Sequence, residues 1–207
     1  MTDQAPRGRG RPKGTGRVDP DDIIEAALDA LASGGYQALT MRGVARRLGV
    51  SLASLQYHHA TKADLWRAAI DGFFADAADH HGQVDVADLA RSISVFLQQG
   101  ARRPGLVAAL LTDRSEGSEE RLAYIADGFA ANTEQAHRKL EALQSSGTVR
   151  PLDPKVMFAL TTIGIGSLAS AGGAVKAIYG FDLENDEERD RFAAAVADII
   201  GHGLLKR

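Results

Sequence analysis

The chain contains no cysteine. Disulfide staples, thiolate metal sites and a cysteine nucleophile are therefore excluded, and a reducing compartment is compatible. The N-terminus has no apolar run of the kind a secretory signal needs, so a cytoplasmic location is expected. Aromatic residues make up only 6% of the chain, with a single Trp. No stretch shows the two-residue alternation of a convincing strand, and no internal repeat is found. Catalytic signatures are missing as well: there is no G-x-S-x-G elbow, Walker loop or H-E-x-x-H. The pairs His58-His59 and His80-His81 are adjacent. Their members point about 100° apart on a helix and cannot share a metal as i, i+4 ligands do. Neither enzyme activity nor a metal nor a cofactor is expected.

What remains is an ordinary globular composition, 44% hydrophobic and 25% charged over 207 residues, enough for one or two domains with a real core. The net charge of −3 is unevenly spread. Residues 1–70 hold 10 Lys and Arg against 7 Asp and Glu, a charge of +3, which leaves −6 for residues 71–207. A basic front and an acidic back fit a molecule whose front meets a polyanion.

The stretch from Thr40 to Leu65 carries the sharpest pattern. Thr40 can cap a short helix with apolar Val44, Ala45 and Leu48. Gly49 suits the left-handed residue that ends it, and Ser51 can cap a second helix through the N–H of Ala53 or Ser54. Two short helices joined by so tight a turn form a helix-turn-helix, whose second helix enters the DNA major groove. Val50, Leu48 and Leu55 pack the pair, while Leu52, Ala53, Ser54, Tyr57 and His58 face outward. An ordinary helical hairpin is the competing account.

Ahead of this lies Met1 to Val18, rich in Gly, Pro and Arg and without apolar periodicity, which predicts a disordered basic arm. Arg9-Gly10-Arg11-Pro12-Lys13 within it resembles an AT-hook core, so Arg9, Arg11 and Lys13 are candidate minor-groove contacts. Asp19-Pro20 opens the first firm helix; its stripe is Ile24, Ala27, Leu28 and Leu31, and Gly34-Gly35 stops it. Thr61 and Asp64 form a capping box that starts a fourth helix, about Lys62 to His80, lined by Leu65, Trp66, Ala69, Ile70 and Phe73.

Helical patterns continue: Val86 to Leu97, Leu106 to Leu111, Leu122 to Leu143, one opened by Asp153-Pro154, and a last one capped by Asn185 with Glu188. No residue from Val156 to Val175 is charged. Its Thr, Ser and Gly content argues against a membrane span, and a helix apolar all round must be buried all round. A second copy of the chain can supply the missing cover. Gly166 and Ser170 of this helix, with Phe192, Val196, Ile199, Ile200 and Gly203 of the last one, are the candidate dimer interface. Gly172-Gly173 is where the helix would kink.

The capped three-helix head, the L-G-V-S turn, the recognition helix ending in Tyr-His and the T-K-x-D-L start of a long helix together resemble the TetR family of bacterial transcriptional regulators. The pattern covers about Asp21 to Phe73, and the rest matches in helical layout. The resemblance implies an all-α fold: a basic arm over 1–18, a DNA-binding head over 19–65, and a ligand-binding and dimerisation domain over 66–207. It places Thr40, Arg42 and Lys62 on phosphate, Leu52, Ala53 and Ser54 toward base edges, and Tyr57 and His58 on backbone or bases. Gln56 stands where the family usually has Tyr, and can donate to phosphate or pair with adenine; His59 stands where the family usually has Phe.

The implied function is a homodimeric repressor on a near-palindromic double-stranded operator, released by a small hydrophobic effector. The alternatives are an activator or an architectural protein preferring A·T tracts. Candidate effector contacts are Phe74, Phe96, Leu110, Phe129, Phe158 and Thr162.

Overall fold

The computed structural model describes residues 18–81, 94, 97–98, 100, 102–103 and 105–204. The described residues are helical, with no strand among them. Helix α1 is Pro20–Ala38, α2 Met41–Leu48, α3 Leu52–His58 and α4 Lys62–His81. Next along the chain are α5 Leu106–Leu111, α6 Ser118–Ser145 and α7 Pro154–Phe158. A π-helical segment spans Ala159–Ile165, and α8 Gly166–Ser170, α9 Gly172–Tyr179 and α10 Asp186–Leu204 complete the order. No helix among the described residues is long and apolar enough to cross a membrane.

The caps are where local chemistry puts them. The Asp19 carboxylate accepts from the Asp21 N–H and Pro20 takes the first helical position, so α1 starts with one orphan donor satisfied and another absent. Thr61 and Asp64 accept from each other's backbone N–H, at 3.1 and 3.0 Å. At α10 the exchange is only half made. The Asn185 side chain accepts from the Glu188 N–H at 3.0 Å, but the Glu188 carboxylate turns to the Asp182 N–H instead.

Helix α1 is the centre of the first core. Ile23, Ala26, Ala27, Leu28 and Leu31 are buried and Ile24 only partly so, a wider stripe than the period alone implies. The reason is that α1 packs on three partners, α2, α4 and α5. Each large aliphatic side chain so buried contributes roughly 1.5–3 kcal/mol. The helical angles break at Gly34 and Gly35, as expected, but one further turn runs on to Ala38. Leu106 and Leu110 of α5, Phe74 of α4 and Ile125 of α6 join the same core, which therefore runs across the Leu65–Trp66 boundary without a gap.

The uncharged stretch departs from the single helix expected of it. It divides into α7, the π-helical turns, α8 and α9, with a break at Ala171 just before Gly172. Glycine at 164, 166, 172 and 173 weakens the regular ladder, and Gly lowers helix stability by up to about 1 kcal/mol each. Ile165 and Val175 from this stretch share a second core with Leu97, Leu183 and Ala193. The predicted Val86 to Leu97 helix lies mostly outside the described residues, as does the whole Arg9–Lys13 arm.

Candidate nucleic-acid interface and the adjoining cavity

Helix α2 is held at both ends by its own sequence. The Thr40 hydroxyl accepts from the Gly43 N–H at 3.0 Å. At the other end Gly49 adopts φ 68°, its N–H bonding the Arg46 carbonyl while the Val50 N–H bonds the Ala45 carbonyl. This double bond pattern around a left-handed residue ends the helix and turns the chain sharply. Two residues later the Ser51 hydroxyl accepts from the Ser54 N–H at 3.0 Å and starts α3.

Helix α3 anchors itself through Leu55, which is fully buried with Val44 and Ala45 in the head core. Gln56, Tyr57 and His58 are exposed, Tyr57 at 88%, and the Tyr57 and His58 rings meet edge to face at 5.6 Å. Ala53 is exposed as well, whereas Leu52 and Ser54, expected to face out, are half-buried against the turn. Arg47 is tied to Asp29 of α1. Arg42 and Arg46 are exposed and make no ion pair among the described residues. A short rigid helix therefore presents amide, phenol and imidazole groups beside two uncommitted guanidinium groups. That set suits hydrogen bonding to base edges and phosphates.

His59 is half-buried at the end of α3. Burial, then the nearby His58, hold its pKa below the usual 6.5, with Asp64 acting in the opposite sense. The polar ring thus sits neutral in the place of an apolar plug. The Asp64 carboxylate, accepting from the Thr61 hydroxyl and backbone, is held below its ordinary range.

Lys62, at the first turn of α4, is half-buried, its Nζ 3.9 Å from the centroid of the Tyr36 ring. The Arg121 guanidinium carbon lies over the same ring at 3.8 Å. Tyr36 and Trp66 meet edge to face at 6.3 Å, and Trp66 leans on Tyr124 at 5.5 Å. Tyr36 and Trp66 border a cavity of about 280 Å³ between the head and the body. Its floor is apolar, from Leu110, Leu111, Leu122 and Ile125, and its rim carries Asp113, Arg114, Glu119 and Arg121.

Of the residues expected at an effector site, Leu110 lines this cavity. Phe74 and Phe129 do not. They stack edge to face at 5.0 Å in the core. Phe96 and the side chains of Phe158 and Thr162 lie outside the described residues. Sequence patterns do not single out Tyr36, Asp113 and Arg121, because these residues join only across the fold. The available signal is the polar stretch Asp113 to Glu116 that follows the apolar α5.

Among the proposed dimer residues, Gly166 is buried and Ser170 half-buried. Phe192, Val196 and Ile200 pack partly on their own chain's second core. Ile199 is 73% exposed and Gly203 is exposed too.

Residues 23–69 match the family of bacterial regulatory proteins known as the tetR family. Residues 84–207 match the tetracyclin repressor-like C-terminal domain. The tetracycline repressor protein class A from transposon 1721 of Escherichia coli is 36% identical over 64 residues, covering 31% of this chain and 30% of that protein. An HTH-type transcriptional regulator of Saccharopolyspora erythraea is 36% identical over 70 residues, 32% of this chain and 30% of that protein. These relatives are thus matched over less than a third of their length. Among solved structures, a TetR-family regulator from Rhodococcus sp. superimposes with a TM-score of 0.60 at 22% identity, covering 87% of this chain and 96% of that one. The regulator FadR from Bacillus subtilis, solved in complex with stearoyl-CoA, gives 0.63 at 15% identity, covering 89% and 99%. With the capped helix-turn-helix in front and a family domain matched over most of the remaining residues, the chain belongs to the TetR family of DNA-binding transcriptional regulators.

Proposed function

We propose that the chain is a repressor that grips a near-palindromic operator as a homodimer and lets go when a small molecule fills the cavity beneath Trp66. The observation that carries this reading is the placement of α3. Helix α3 is capped at its start by Ser51, its Gln56-Tyr57-His58 end is exposed, and only three residues separate that end from α4, whose Trp66 walls the cavity. In a two-fold dimer the two copies of α3 would enter successive major grooves about 34 Å apart. A small rotation of α4 changes that spacing. An effector lowers DNA affinity by as much as it prefers the rotated state, and by no more.

The cavity, just under the usual range of about 300–1,000 Å³ for ligand pockets, calls for a compact molecule. An apolar body on Leu110 and Ile125 with one polar end at the Arg121 rim fits its lining. The supporting basis for the dimer is the exposed apolar surface of the C-terminal helices, Val156, Leu160, Ile163 and Ile199.

Selection of duplexes from a random 30-base-pair library by the purified full chain tests the reading. The expected product is an inverted repeat whose half-sites lie about one helical turn apart. Enrichment of A·T tracts without dyad symmetry would make the chain an architectural protein instead.

A further inference from the structure

Arg121 stands where the cavity meets the head. Its Nε donates to an Asp113 oxygen at 2.8 Å, Nη2 pairs with the same oxygen at 2.7 Å and donates to the Ser115 hydroxyl at 2.6 Å, and Nη1 donates to the Glu116 carbonyl at 3.0 Å. All these acceptors come from the segment between α5 and α6, while the Tyr36 ring under the guanidinium comes from α1 and Lys62 beside it from α4. Four elements thus meet at one ring that carries two cations.

The two cations are not equivalent. Arg121 is locked by three hydrogen bonds and an ion pair, and its side chain is only 11% exposed. Lys62 has the ring and no ion pair among the described residues. The Lys62 ammonium is held below the ordinary lysine range, first by burial and then by Arg121, with Asp113 pulling the other way. Asp113 therefore acts on the lysine's charge, while its own partner is Arg121 at 2.7 Å. Burial disfavours its charge, but bonds from Ser115 and Arg121 outweigh that and keep the carboxyl ionised.

We propose that Arg121 is a positioning residue for Lys62: by saturating Asp113 and sharing the Tyr36 ring, it keeps the lysine from folding inward and leaves it free for a DNA phosphate. This rests on the reading that Lys62 grips phosphate. Uncovering Asp113 offers the lysine a partly buried carboxylate in exchange for a solvated phosphate. An anion entering the cavity and drawing off Arg121 would uncover Asp113 in the same way, which is how the cavity would speak to the DNA.

The test measures binding of the duplex selected by the wild-type chain, at several salt concentrations, for Lys62→Met, Arg121→Met and the double variant Arg121→Met/Asp113→Asn. Lys62→Met is expected to flatten the slope of log affinity against log salt by about 0.9 for each copy of the lysine in the complex. Arg121→Met is expected to flatten it equally although Lys62 is intact, and the double variant to restore it. If Lys62→Met leaves the slope unchanged, the phosphate reading fails and this proposal with it. If Lys62→Met flattens it and Arg121→Met does not, or the double variant stays flat, the proposal alone is overturned. Should Arg121→Met not fold, Arg121→Gln keeps a donor for the Glu116 carbonyl and is held to the same outcomes.

Discussion

At the scale of single residues, the same substitution has opposite causes of failure at different glycines. Gly49 has open space around it, but its φ of 68° belongs to the left-handed region, so a side chain there is strained whatever the room. Gly128 is the reverse. It lies in the middle of α6 with helical geometry, where Ala would ordinarily add up to about 1 kcal/mol of stability. Here a methyl would overlap three atoms of the Phe74 ring, the farthest at 2.9 Å. That ring cannot swing aside, because it is buried between Phe73 and Phe129 at 5.4 and 5.0 Å. Overpacking of this kind costs about 1–3 kcal/mol, which exceeds the propensity gain. Gly128→Ala is therefore expected to cost a net of up to about 2 kcal/mol and to lower the melting temperature by as much as about 8 °C, as a chain of this length loses about 2–4 °C per kcal/mol. A calorimetric scan that finds the variant as stable as the parent, or more so, would mean that α4 and α6 are less tightly engaged than described.

At the scale of elements, α1 is tied to the rest of the chain by a shared set of charges as well as by its apolar face. Arg103, just before α5, pairs with Glu25 and with Asp29, and Asp29 is shared with Arg47 of α2. Three segments are thus joined through two carboxylates on successive turns of one helix. The carboxylates are partly exposed, so removing the arginine lets them rehydrate, and the severe penalty of a stranded buried charge does not arise. Arg103→Ala is expected to cost about 1 kcal/mol, read as a lower urea midpoint with an unchanged slope. A loss of several kcal/mol would show that the pairing also organises the core beneath it.

The contrast between these charges and the caps marks how far the sequence can be read. Asp19, Thr40, Ser51, Thr61 and Asp64 act on backbone groups two or three residues away, so their roles are visible in a short window of sequence. The head, its turn and the start of α4 are legible for that reason. Arg103 meets partners 78 and 74 positions away, and Tyr36 meets Arg121 only after four helices have packed. No spacing rule reaches that far. Phe74 and Phe129 look like cavity residues on the same account, since aromatic residues at helical spacing look alike whether they fill a core or line a pocket. The stretch from Val156 to Val175 misleads for a different reason: hydropathy reports burial but is blind to the ladder changing from α to π and back.

At the scale of the whole molecule, large apolar side chains are exposed mainly at one end. The head exposes Tyr57, which has a polar tip suited to DNA, whereas the C-terminal helices expose Val156, Leu160, Ile163, Ile178, Tyr179 and Ile199. So many exposed large apolar side chains on neighbouring stretches of the chain suit a place where something docks. In the proposed dimer a second copy of the chain would cover it and would supply the paired α3 helices that an inverted repeat requires. Ile199→Asp separates this from a purely structural role. The side chain is 73% exposed, so the charge is solvated in an isolated chain and leaves the fold and its far-UV signal intact. In a seam the same carboxylate would be desolvated without a partner, at a cost of several kcal/mol. The variant is expected to sediment as a folded monomer. It should also lose far more affinity for a two-half-site duplex than for a single half-site, because the two heads no longer bind as one unit. A variant that still sediments as a tight dimer would place the seam away from α10, and the second cover for the C-terminal helices would have to be sought along α9, where Ile178 and Tyr179 remain open.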